Sequence, residues 1–316
     1  MEEVDKMSHR LRTCGAAAVL LLLLTLLSSC GQSAVQDETA TDYNQYIPSH
    51  GVTAYTKDLY IFFDSGRLFY VGRSQPSQLF PLCFQADCDH KNSSCTAWLN
   101  TPSRSIYAAG DNLYYIDADK DAKPALYRMD LSGGGRELVK SLKILNEESW
   151  PGISSLGYSF RVYGSYLAIE LNLLQEDSWQ HKIYLTGIDG KDEGVFLFGE
   201  EDDSDKSYIA IEFRENWLFV TEKSAADGTN TLWGYNLATQ EAVPLVEGWD
   251  ISNCFTVQDG ILYWAATGDG VYSMDMEKKS VTKHRSFDPV LEYGAAAYDD
   301  QYLYLTNAIR YMDSQG

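Results

Sequence analysis

Asp111-Asn112-Leu113-Tyr114-Tyr115-Ile116-Asp117, answered by Ala125-Leu126-Tyr127-Arg128-Met129-Asp130-Leu131-Ser132-Gly133, decides the fold. A turn pair leads into a strand of aromatic and aliphatic residues. A polar loop follows, and a second alternating strand then ends in Asp and a Gly turn. The unit recurs along the chain. With the leucine of each second strand as a marker, Leu59, Leu113, Leu167, Leu218, Leu262 and Leu303 stand 54, 54, 51, 44 and 41 residues apart. Each follows a turn slot: Lys57-Asp58, Asp111-Asn112, Gly164-Ser165, Glu215-Asn216, Asp259-Gly260 and Asp300-Gln301. These residue types tolerate the backbone angles of a tight hairpin. Third strands are expected over Arg67–Val71, Leu126–Leu131, Ile183–Ile188, Leu232–Leu237, Val271–Met276 and Ile309–Asp313. Fourth strands are expected over Glu137–Lys140, Val195–Phe198, Ala242–Val246 and Val281–His284.

Short antiparallel strands in fours, at this period, are the pattern of propeller blades. The expectation is an all-β chain, a β-propeller of about six four-stranded blades with the last incomplete; a β-sandwich or a pair of smaller β domains is the competing reading. One blade cannot bury both of its faces, so its central strands should be apolar on both sides and pack between neighbours. The Leu142–Trp150 segment is too short and isolated for an amphipathic helix. The sixth unit stops at Met312-Asp313-Ser314-Gln315-Gly316, in its turn residues. Either Asp42–Ile47 supplies the missing strand and closes the ring, or the sequence is a piece of a longer chain.

The N-terminus is of a different kind. Lys6, Arg10 and Arg12 precede an uncharged run from Gly15 to Leu27, too short to span a bilayer. Glu2, Glu3 and Asp5 are unusual in such a basic region, and Met7 opens a cleaner one. Leu27-Ser28-Ser29-Cys30-Gly31 resembles the lipobox of bacterial lipoproteins. That resemblance implies that Cys30 is diacylated and becomes the mature N-terminus, and two acyl chains anchor stably where one would not; a plain secretory signal is the other reading. Residues 1–29 are then a lipoprotein signal peptide, 30–46 a lipidated Cys and flexible tether, and 47–316 the propeller with a Cys-rich insertion at 83–98.

Ile261-Leu262-Tyr263-Trp264, followed by Val271-Tyr272-Ser273-Met274-Asp275, resembles the YWTD-type blades of lipoprotein-receptor propellers, although Ala265 and Ala266 stand where an acidic residue is expected. From Thr53 to Gly316 the chain is similar to uncharacterised bacterial lipoproteins with such a receptor-like propeller. The resemblance implies a fold and no activity.

The Cys-rich insertion is the local outlier. Cys83, Cys88, His90 and Cys95 are spaced Cys-x4-Cys-x-His-x4-Cys. Three sulfurs and an imidazole so close in sequence could close a tetrahedral zinc site, and four protein ligands would make it structural. A disulfide is the alternative, favoured by an oxidising exterior, with Cys254 a candidate for the leftover thiol. Similar insertions occur in the lipoproteins that the chain resembles.

Other candidates are weaker. Asp117-Ala118-Asp119-Lys120-Asp121 begins like a calcium loop, but Ala122 and Arg128 occupy the positions that need Gly and Glu, so a solvated hairpin loop is expected. The acidic run Glu200–Asp205 reads as an exposed loop. His50, His181 and His284 have no patterned Ser or Cys partner, and no nucleophile elbow, phosphate loop or dinucleotide fingerprint is present in the sequence. Trp150, Trp179 and Trp249 either stack on ligands or pack under loops. The 316 residues carry a formal net charge of -20, which disfavours nucleic acid and anionic lipid surfaces as partners. The expectation is a lipid-anchored extracytoplasmic binding module, not an enzyme. It would be held at the membrane through its anchor, with a protein, peptide or glycan ligand and no cofactor beyond a structural zinc. The rival is a propeller-type hydrolase or lyase with its site on the central face.

Overall fold

A computed structural model describes residues 53–100, 105–175, 178–189, 193–199, 205–248, 255–266, 269–286, 292–298 and 303–308. The expectations placed on Cys30, on the signal and tether, on Asp42–Ile47 as a closing strand, on Cys254 and on Ile309–Asp313 lie outside these residues.

The first sheet holds β1 (Thr53–Tyr55), β2 (Leu59–Asp64), β3 (Arg67–Gly72) and β4 (Phe80–Pro81). The second holds β5 (Ile106–Ala109), β6 (Asn112–Ala118), β7 (Pro124–Asp130) and β8 (Glu137–Ser141). The third holds β9 (Ile153–Tyr163), β10 (Tyr166–Gln175), β11 (Ser178–Gly187) and β12 (Val195–Phe198). The fourth holds β13 (Lys206–Arg214), β14 (Trp217–Ser224), β15 (Asn230–Asn236) and β16 (Glu241–Glu247). The fifth holds β17 (Phe255–Gln258), β18 (Ile261–Ala266), β19 (Gly270–Asp275) and β20 (Ser280–Ser286), and β21 (Glu292–Tyr298) pairs with β22 (Leu303–Ala308) in a sixth. Within each sheet the strands are neighbours in chain order and antiparallel. This is the blade meander of a β-propeller.

The packing explains the composition of the central strands. Leu113 and Tyr115 of β6 bury toward the first sheet with Ala54, Ile61 and Leu68. Tyr114 and Ile116 of the same strand bury toward the third, with Phe160, Leu167 and Ile169. Because side chains alternate across a strand, an uninterrupted apolar run is what a strand between two sheets requires. Phe219 and Leu232 meet Phe255, Leu262 and Trp264 in the same way between the fourth and fifth sheets. The seam between the third and fourth sheets is different. Tyr163 stacks on Phe213 at 5.5 Å, but beside them lies a buried ionic group, Arg161–Glu212–Arg214.

Two-residue turns join the first and second strands of sheets two to five, and the first turn residue always has a left-handed backbone: φ is 55° at Gly110, 54° at Gly164, 49° at Glu215 and 52° at Asp259. In the second sheet the turn is Gly110-Asp111, one residue earlier than the expected Asp111-Asn112, because Asn112 already pairs in β6. The Leu142–Trp150 segment holds two short 3-10 turns, Lys143–Leu145 and Glu147–Ser149.

The meander fixes two ends for every sheet. The start of the first strand, the turn between second and third, and the exit of the fourth share one end. The remaining turns share the other.

Candidate metal centre

The cysteine segment interrupts the fourth strand of the first sheet. β4 pairs with β3 through Tyr70↔Phe80 and Phe69↔Pro81, and the Leu82 amide continues to the Leu68 carbonyl at 2.9 Å. The chain then leaves the sheet. It returns where the Leu68 amide donates to the Ala97 carbonyl at 2.8 Å, Arg67 bridges to Trp98, and the Leu99 amide donates to the Gly66 carbonyl at 3.0 Å. Residues 80–82 and 97–99 thus form one composite edge strand, and 83–96 form an excursion from it. Leu82, Cys95, Ala97 and Leu99 are buried in the core between the first two sheets, which ties both roots of the excursion down.

At the neck of the excursion the four candidate ligand atoms of Cys83, Cys88, His90 and Cys95 all lie within 4.8 Å of one another. His90 Nδ1 is 3.3 Å from Cys95 Sγ. Local backbone chemistry sets this up. His90 takes a left-handed φ of 55°, which turns its ring back toward the sulfurs. The Asn92 side chain accepts the Ser94 amide at 2.9 Å, and the Cys95 amide donates to the Asn92 carbonyl at 3.0 Å, so a tight turn delivers Cys95. All three cysteines are free thiols.

The sulfurs are not equivalent. Burial alone would raise Cys83, but hydrogen bonds from the Thr96 side chain, the Gln85 amide, Cys95 and the Thr96 amide outweigh it and bring the thiol down to about 6. Burial pushes Cys95 up to about 12, only partly opposed by the Ala97 amide. The Gln85 and Ala97 amides each lie two residues after the sulfur they address, a backbone arrangement that stabilises thiolate character.

The second sheet clasps the excursion. Arg136 donates to the Trp98 carbonyl at 3.0 Å and to Asp117 Oδ2 at 2.5 Å, and its guanidinium lies over the Tyr127 ring at 4.9 Å. Asp117, expected in a solvated loop, is therefore buried at the seam, whereas Asp119 Oδ1 caps the amides of Asp121 and Lys123 in an ordinary hairpin loop. The sequence offered no signal for the Asp117–Arg136 pair, which joins β6 to the loop before β8.

Other candidates fall as follows. Trp150 packs under its loop, its Nε1 donating to the Ile144 carbonyl at 2.8 Å, while Trp179 is 49% exposed. His284 Nε2 lies 2.7 Å from Ser273 Oγ, a cross-strand His–Ser contact that local sequence could not reveal. His181 is half-buried, with Nδ1 lacking a hydrogen-bond partner among the described residues. Trp249, His50 and Glu200–Ser204 lie outside the described residues.

No family model matches the sequence. No curated protein matches it either. Among solved structures the chain is similar to an oligogalacturonate lyase in complex with manganese, with TM-score 0.46 and 13% identity over 76% of this chain and 66% of that one. It is also similar to a putative TolB from Agrobacterium tumefaciens, with TM-score 0.41 and 12% identity over 75% of this chain and 81% of that one. A chain of a nidogen/laminin complex gives TM-score 0.41 and 13% identity over 79% of this chain and 85% of that one. The expectation that the protein is not an enzyme is corrected here: a lyase is among the structures it resembles, so a propeller architecture does not exclude catalysis.

Proposed function

We propose that the protein is a lipid-anchored, extracytoplasmic β-propeller that binds a protein, peptide or glycan through the end of its sheets from which the cysteine excursion emerges. The anchor rests on Leu27-Ser28-Ser29-Cys30 after the apolar run. The binding face rests on one observation: the long elaborations of the first three sheets share that end. They are the 83–96 excursion, the 142–152 segment and the projecting β10–β11 hairpin. The strands of the third sheet, β9, β10 and β11, run to 11, 10 and 10 residues where β2 and β3 have six, and the extra length lies at this end. Trp179, 49% exposed in the β10–β11 hairpin, offers apolar contact there. The opposite end carries the two-residue turns.

A photo-crosslinking residue placed at Trp179 or Ser93, compared with Glu215 or Asp259 at the opposite end, tests the face in intact cells. Adducts from the first pair alone are expected; adducts only from the second, or from neither, overturn the reading. Cys30→Ala should abolish incorporation of a labelled fatty acid, and labelling that persists removes the anchor.

A further inference from the structure

We propose that Cys83, Cys88 and Cys95 through sulfur, and His90 through Nδ1, bind one zinc ion whose role is to close the neck of the excursion and so complete the first blade. A tetrahedral zinc with three sulfurs at about 2.3 Å and one nitrogen at about 2.0 Å needs S···S edges of about 3.8 Å and S···N edges of about 3.5 Å. Ligand atoms within 4.8 Å of one another, with one S···N separation already 3.3 Å, meet that requirement with small side-chain adjustments. The donor set is the one that selects this metal: soft thiolates with an imidazole, in a compact arrangement without a carboxylate. Zinc displaces the protons of the thiols to solvent as the sulfurs take the metal, and no electron is transferred. With Nδ1 on the metal, the imidazole carries its proton on Nε2 and stays neutral. Four protein ligands fill the coordination sphere, so the ion is structural.

A disulfide fits the same segment less well. Any bridge between two of these cysteines leaves the third sulfur and the imidazole converging without a shared bond, although all four atoms lie within 4.8 Å of one another. The location gives the metal its purpose. β4 has two residues, too few to cover the edge of β3, and the pairing that completes the edge comes from 97–99 beyond the excursion. Holding Cys83 next to Cys95 brings the two halves of that strand into line. The same neck meets the second sheet, because Gly133 approaches Leu82 and Cys83 so closely that a Cβ there would lie 2.6 Å from the Leu82 oxygen.

The test uses the full chain, purified in detergent without a polyhistidine tag, with metal content measured by mass spectrometry of the elements. One zinc per chain is expected. Cys88→Ser and His90→Ala should lose it, His90→Cys should keep it, and His284→Ala outside the cluster should leave it unchanged. Cobalt in place of zinc should give the visible bands of a tetrahedral site with sulfur-to-cobalt charge transfer. Chelation should also speed hydrogen exchange at the amides of Leu68 and Leu99, which report the composite strand. A wild-type chain without metal, lighter by two hydrogens than its fully reduced form, would assign a disulfide and overturn the proposal. Wild-type protein alone decides this should the variants fail to fold, and the result is independent of any crosslinked partner.

Discussion

At the scale of single residues, the telling groups are the charged ones that the sheets bury. Glu212 receives Arg214 at 2.6 Å and Arg161 at 3.4 Å, with all three side chains nearly inaccessible. Removing the carboxylate takes the ion-pair partner from both guanidinium groups in the seam. Glu212→Ala should therefore destabilise by about 3–5 kcal/mol, the range for breaking a buried ion pair, read by denaturant unfolding. A loss below about 1 kcal/mol would mean that the guanidinium groups find other partners. His181 gives a pH signature. Burial lowers its pKa, opposed only in part by Glu170. As pH falls through about 6.5 the unfolded chain takes up a proton before the folded one does, so His181 supports stability above that pH and withdraws the support below it. His181→Gln should accordingly lose less melting temperature between about pH 7.5 and pH 5.5 than the wild type; an unchanged loss would place the sensitivity elsewhere. None of these groups was legible in the sequence. Arg161 and Glu212 are far apart in the chain, and the contacts of Arg161, His181 and His284 arise only when particular strands become neighbours.

At the scale of elements, the second strands were readable in nearly every case, because a run such as Leu113-Tyr114-Tyr115-Ile116 needs two apolar neighbours and can have them only inside a stack of sheets. The fourth strands of sheets two to five were also readable to within one or two residues, although all seven residues of β20 face solvent. The composite fourth strand of the first blade was invisible, since no local rule joins Leu82 to Ala97 across an excursion. Its neighbour Gly133 was noticed as a turn glycine, but its importance is the approach to the Leu82–Cys83 backbone. With φ of 85° and main-chain atoms at 2.6–2.8 Å, a methyl group there has nowhere to go. Gly133→Ala should cost about 3 kcal/mol, combining left-handed strain with displacement of the neck. Gly228→Ala, with φ of 72° and open space around it, should cost about 1 kcal/mol. Equal losses in thermal unfolding would show that strain alone matters at both sites.

For the whole molecule, the repeat fixes the architecture while the departures from the repeat carry the individuality. The described meanders are variations on one unit, yet only the first bears a cysteine excursion and only the third extends its central strands so far beyond its siblings. The cysteine cluster could be recognised from spacing, but spacing alone left bridge and metal undecided. The proposed metal site draws on three-dimensional features: a left-handed His90, a turn that presents Cys95, and sheet pairing that brings the two roots of the excursion together.

The interrupted strand also sets an order of events. A ribosome or a translocation pore delivers the chain from its N-terminus, and the second, third and fourth blades can each finish from one continuous stretch. The first cannot. Its edge is still unpaired when Pro81 emerges, and it is completed only after Trp98 and Leu99 have appeared and docked. That blade thus waits for the excursion to fold before its own edge is paired.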